Sequence, residues 1–143
     1  MLHILLVEDD DVDVEAVVRA FQKQQLDYSF TIVANGVEAL LCLRGDGDRP
    51  PLPQPYIILL DLNLPRMNGK QFLAEMRADK AFKNIPVVIL TTSDAESDIV
   101  QGYSLGANCY VTKPVDLKAF QTIVLAVENF WFTVVKLPPP GVS

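Results

Sequence analysis

A chain of 143 residues is near the usual size of one compact domain, so a single hydrophobic core is the expectation. Its net charge of −6 and pI near 4.6 disfavour nucleic acid as a direct partner, because such binding draws mainly on basic side chains meeting phosphates. No apolar run approaches the ~18 residues needed to span a bilayer, and acids cut the N-terminal stretch Leu2 to Val7 short, so neither a membrane helix nor a signal peptide is expected.

The first apolar run, His3 to Val7, predicts a strand that ends in Glu8 and Asp9. Val14, Val17, Val18 and Phe21 then follow the i, i+3, i+4, i+7 template, and the acids Asp10, Asp11 and Asp13 suit the positive end of a helix over about 12–25. A second strand over Phe30 to Val33 leads to Gly36, which opens a helical segment from Val37 to Leu43. Gly45 to Pro55 is rich in Pro and Gly and predicts an exposed irregular loop. Tyr56 to Leu60 is the third strand, and Asn68-Gly69 precede a helix with Phe72, Leu73 and Met76 facing inward. Pro86 to Leu90 is the fourth strand; Asp94 is placed to cap a helix carrying Ile99, Val100 and Tyr103. Cys109 to Thr112 is the fifth strand. In a last helix, Leu117, Phe120, Val124, Val127 and Trp131 form one apolar stripe, with Ile123, Ala126 and Phe130 as a second row beside it.

The first, third and fourth strands are continuously apolar, as expected where helices cover both faces of a parallel sheet. Each strand is followed by a helix, which predicts an α/β fold with a doubly wound five-stranded parallel sheet. The expected division is one domain over 1–131 and a tail over 132–143. The cysteines, Cys42 and Cys109, lie in apolar segments without metal-like spacing, so buried reduced thiols of a cytoplasmic protein are expected.

In such a sheet the carboxyl ends of the strands share one edge. Glu8 and Asp9 end the first strand and Asp61 ends the third, so three like charges converge in a partly desolvated crevice and call for a cation or for retained protons. Oxygen ligands select a hard ion, and Mg²⁺ characteristically takes a few carboxylates, keeps water and bridges to phosphate. Two more strand ends supply Thr91 and Lys113, a hydroxyl and an ammonium that suit the oxygens of a transferring phosphoryl group. Asp61 is then the candidate nucleophile, forming an acyl phosphate. Taken singly, each of these residues is as well explained by helix capping or turn formation; their joint placement at four ends of one sheet is what points to chemistry.

With LLVEDD (5–10), ILLDLNLPRMNG (58–69), PVVILTTS (86–93) and NCYVTKP (108–114) in order, the chain resembles the receiver domains of bacterial two-component response regulators over about residues 2–130. The resemblance implies a flavodoxin-like strand order of 2-1-3-4-5. It implies Asp61 as phosphoacceptor, with Glu8, Asp9 and the main-chain carbonyl of Asn63 around Mg²⁺. It further implies Thr91 and Lys113 as phosphoryl contacts, Tyr110 as the aromatic that turns inward as Thr91 moves, and Lys113-Pro114 as a cis peptide that aims the lysine. Glu8 stands where many receivers have Asp, and Thr92 where a smaller residue is common. DLNLPR (61–66), VILTTSD (88–94), the insertion before the third strand and ENFWFTVVKLP (128–138) are similar to the small response regulators that partner cyanobacterial phytochromes. That narrower likeness implies a sensor histidine kinase of phytochrome type as phosphodonor and a homodimer, for which Phe130, Trp131 and Phe132 are the candidate apolar surface.

Only about a dozen residues follow the last helix, so output is expected to pass to another protein rather than to a fused effector domain. Three rivals are weaker. A small phosphatase with an aspartyl-phosphate intermediate generally has a second acid two residues after the nucleophile, and here that position is Asn63. A flavodoxin-like cofactor binder needs a Gly-rich phosphate loop after the first strand, where this chain has acids. A receiver-like module signalling without phosphorylation would have no need of Asp61, Asp9, Thr91 and Lys113 together.

Overall fold

The computed structural model describes residues 2–22, 28–48, 50–52, 56–91 and 95–112. Strands β1 (Leu2–Val7), β2 (Tyr28–Val33), β3 (Tyr56–Leu60), β4 (Val87–Thr91) and β5 (Cys109–Thr112) form one sheet in the order β2-β1-β3-β4-β5. Every pairing is parallel. Helices α1 (Asp11–Gln22), α2 (Gly36–Arg44), α3 (Gly69–Ala78) and α4 (Glu96–Ser104) connect them, with a 3-10 turn over Lys80–Phe82. This is the doubly wound flavodoxin-like order expected from the sequence.

Successive strand residues point to opposite faces, and both faces are covered. Leu5, Val7, Ile58, Leu60, Val87 and Ile89 pack with Leu40, Leu43, Phe72, Leu73 and Met76 on the face covered by α2 and α3. Ile4, Leu6, Ile57, Leu59, Val88 and Leu90 pack with Ala16 and Val17 of α1 on the other. Two-sided burial explains why these strands read as unbroken apolar runs.

Helix starts are set by short polar side chains. Asn35 caps α2, accepting from the Glu38 amide at 2.9 Å. Asn68 and Gln71 form a reciprocal capping box at α3, with bonds of 2.9 and 3.0 Å. Helix α4 begins at Glu96, so the capping position is held by Ala95, whose side chain makes no cap bond. Asp94 lies outside the described residues, as do the last helix and the tail. Val100 and Tyr103 of α4 face outward, with 57% and 48% of their surfaces exposed, while Gly102 is the buried residue of that helix.

Arg77, near the end of α3, ties three segments together. Its guanidinium donates to the carbonyls of Gly106, Phe82 and Lys83 at 3.0 Å each and to Asn108 Oδ1 at 3.2 Å. Asn108 Oδ1 also accepts from the Val87 amide at 2.8 Å, so the clamp reaches the start of β4. Burial pushes the guanidinium pKa below its usual value through desolvation, a cost that this set of charge-assisted bonds offsets. Replacing Arg77 by Met keeps the apolar stem but strands these acceptors, so urea unfolding is expected to show a loss of about 2–3 kcal/mol.

Candidate functional site

The parallel ladder continues one step past the strands. The Glu8 amide donates to the Val33 carbonyl, and the Asp61 amide to the Val7 carbonyl, each at 3.0 Å. Neighbouring strands thereby deliver both residues to one sheet edge. Glu8 and Asp61 are buried, Asp9 is exposed, and one carboxylate oxygen from each lies within 4.8 Å of the others. At an effective dielectric of ~20, three ionised carboxylates this close cost about 3 kcal/mol per pair. A hard divalent cation relieves that repulsion, and an all-oxygen donor set of this kind suits one.

Local hydrogen bonds divide the acids by role. Asp10 is the cap of α1: its Oδ1 accepts from the Val12 and Asp13 amides at 2.9 and 3.3 Å, and its carbonyl accepts from Val14 at 2.9 Å. Of the acidic run, then, helix capping accounts for Asp10 and leaves Asp9 for the crevice. Glu8 Oε1 accepts from the Asp10 amide at 3.1 Å, and Asp61 Oδ1 accepts from the Asn63 amide at 3.1 Å.

The loop from Leu62 to Asn68 is pinned at both ends. Leu62 and Leu64 are buried, and the Leu62 carbonyl accepts from Gly69 at 3.0 Å and from Leu64 at 3.2 Å. A Cβ on Gly69 would lie 2.3 Å from the Asp61 carbonyl oxygen and 2.7 Å from Leu62 Cα, so α3 begins in direct contact with the Asp61 backbone. Gly36 plays the same part from α2: its amide donates to the Met67 carbonyl at 2.9 Å, and a Cβ there would come within 2.7 Å of that oxygen. Between these two contacts Arg66 adopts φ of 61°, a left-handed conformation that a non-glycine residue holds only where its surroundings enforce it.

Thr91 ends β4 with none of its surface exposed, and its register partner on β5 is Thr112. Tyr110 pairs with Ile89 and packs, partly buried, against the core on the α2–α3 side. Asn63 is exposed beside Asp61. The structure thus gathers Glu8, Asp9 and Asp61, and places Asn63 and Thr91 at the same strand-end edge. Lys113, Pro114, Phe130, Trp131 and Phe132 lie outside the described residues. The close approaches at Gly36 and Gly69 went unread in the sequence. Their signal was present, because each follows an asparagine that proves to be a helix cap.

The comparisons with known proteins agree with this geometry. A model of the response regulator receiver domain matches residues 4–125. The chain belongs to the response regulator receiver family. This receiver is similar to the response regulator Rcp1 of Synechocystis sp. (strain ATCC 27184 / PCC 6803 / Kazusa), with 41% identity over 135 residues covering 94% of this chain and 92% of that protein. It is also similar to the crystal structure of the phosphorylated cyanobacterial phytochrome response regulator RcpA, with a TM-score of 0.91 and 39% identity, over 96% of this chain and 98% of that one. The Mn²⁺-bound form of Rcp1 matches with a TM-score of 0.90 and 40% identity, over 96% and 99% of the two chains. Among the described residues of this receiver, no helix is long and apolar enough to cross a membrane.

The packing at Gly69 has a measurable consequence. Gly69→Ala must part α3 from the Asp61 backbone and is expected to lower unfolding free energy by about 2–3 kcal/mol. Gly47→Ala is the comparison: a Cβ there meets nothing within 4 Å, although φ is +51°, so its cost is about 1 kcal/mol of backbone strain. Denaturant unfolding of the two variants side by side separates steric packing from conformational strain.

Proposed function

We propose that this receiver accepts a phosphoryl group onto Asp61 from the phosphohistidine of a sensor histidine kinase, with phytochrome-type kinases as the favoured donors. The observation that carries the proposal is the convergence of Glu8, Asp9 and Asp61 within 4.8 Å at one sheet edge. The likeness to phytochrome response regulators supports the choice of donor.

Glu8, Asp9 and Asp61, with the Asn63 carbonyl, are the residues that would hold Mg²⁺. When bound, the ion supplies neutralisation of the carboxylates and of the phosphoryl oxygens. A carboxylate oxygen of Asp61 attacks phosphorus in line. An O–P bond forms, the N–P bond of the donor breaks, and its electron pair returns to the imidazole, so the step calls for little acid-base work at Asp61. The bond from Asn63 and the contact with Gly69 hold the nucleophile in one orientation. Thr91 and Lys113 complete the site as hydroxyl and ammonium donors to the transferred group, and Tyr110 follows Thr91.

Phosphorylation is then read out as a shift between two arrangements of the surface around α4 and β5. The chain acts on no separate substrate; its chemistry is gain and loss of its own phosphoryl group. Self-association through Phe130, Trp131 and Phe132 belongs to the same proposal and is supported by the sequence.

Incubation with acetyl phosphate and Mg²⁺, followed by intact-mass measurement, tests the central step. Wild type is expected to gain the mass of one phosphoryl group and Asp61→Asn none; equal labelling of both removes Asp61 as the acceptor. Asp9→Asn is expected to weaken Mg²⁺ binding about tenfold or more, measured by calorimetric titration. In EDTA the same variant should be the more stable by about 1 kcal/mol, less than full Coulomb repulsion because Asp9 is exposed and screened.

A further inference from the structure

Helix α4 is held in an unusual way for an element of this sheet. Its capping position is held by Ala95, whose side chain makes no cap bond, and its buried residue is Gly102, where a Cβ would meet Ile89 Cδ1 at 2.8 Å and Tyr110 Cδ2 at 3.1 Å. A glycine contributes closeness but almost no apolar burial. The helix is tied down by polar contacts instead. At its far end the Tyr110 amide donates to the Tyr103 hydroxyl at 3.1 Å, and Arg77 grips the α4–β5 connection through the Gly106 carbonyl. At its near end stands Lys70. Its ammonium donates to Asp98 Oδ1 and to Gln101 Oε1 at 2.6 Å, two acceptors one helical turn apart on α4.

Lys70 is the residue after Gly69, whose backbone is jammed against the Asp61 carbonyl. The pair with Asp98 is also more enclosed than a typical surface ion pair: the two side chains are 30% and 28% exposed, against 63% and 60% for Arg19 and Glu15 on α1. Screening is correspondingly weaker, and a charge-assisted bond with a second acceptor is directional.

We propose that Lys70 is a positioning residue that couples the backbone around Asp61 to the seat of α4. The coupling rests on Asp61 being the phosphoacceptor. A displacement of the Asp61–Gly69 backbone moves the base of α3 and, with it, the ammonium that holds α4; because α4 has little apolar anchoring, its position follows that tie. The path through Lys70 runs along α3 and is separate from any transmitted along β4 through Thr91.

Hydrogen exchange of the full chain, read by mass spectrometry on the α4 segment (residues 96–104), tests this with and without acetyl phosphate and Mg²⁺. Lys70→Met and Asp98→Asn are each expected to speed α4 exchange roughly five- to tenfold in the unphosphorylated chain, with the double variant no faster than either single one. Lys70→Arg should restore protection. Phosphoryl uptake on Asp61 should persist in Lys70→Met, while the change that phosphorylation produces in α4 exchange shrinks. Wild-type exchange rates in α4 of Lys70→Met, or an undiminished α4 response to phosphorylation in that variant, would overturn the proposal. A wild-type chain that takes no phosphoryl group removes the coupling together with the role of Asp61. Failure of the tie itself is a different result, visible as unchanged α4 exchange in the unphosphorylated variants.

Discussion

Three carboxylates with oxygens within 4.8 Å of one another are a cost that no fold incurs without cause, and here the cause is the parallel sheet. Because β1 and β3 are adjacent and run the same way, the residues that follow them must emerge side by side. Two-sided burial of Ile4 to Val7 and of Ile57 to Leu60 leaves those strands no freedom to slip, since a shift by one residue would exchange the two faces. The charge cluster is therefore maintained by the hydrophobic core beneath it. A divalent cation is the kind of ligand that offsets its repulsion.

Around that cluster, precision comes from backbone contact more than from side chains. Gly36 and Gly69 let the starts of two helices touch the loop that follows Asp61, and the Asn68–Gln71 capping box sets where α3 begins. Arg66 in a left-handed conformation closes the loop between these contacts. A nucleophile whose own carbonyl is packed against the next helix cannot drift by even an ångström, which is the scale on which in-line geometry is lost.

Much of this was legible in the residues. Unbroken apolar runs such as Ile57 to Leu60 implied burial on both faces, and acids at the ends of two such runs implied convergence, because parallel topology leaves little alternative. What escaped was of two kinds. Close approach at Gly36 and Gly69 depends on helix-to-loop distances that no periodicity encodes, although the repeated Asn-Gly pairs marked the places. For α4, the residues Ile99, Val100 and Tyr103 imply an apolar face turned inward, whereas the helix turns Val100 and Tyr103 to solvent. Local propensity predicted a helix there and said nothing of how it would be seated.

The contrast between α3 and α4 carries the physical meaning of that miss. Helix α3 buries Phe72, Leu73 and Met76 completely, and moving it would expose apolar surface at a cost of several kcal/mol. Helix α4 buries a glycine and hangs on Lys70, Tyr103 and the Arg77 clamp. Polar ties of that kind are each modest in net free energy, because water competes for the same groups. A fold that must respond to one added phosphoryl group needs an element whose alternative positions differ by only a few kcal/mol. Exchanging apolar anchoring for a small number of hydrogen bonds brings α4 into that range while leaving the site end of the sheet rigid.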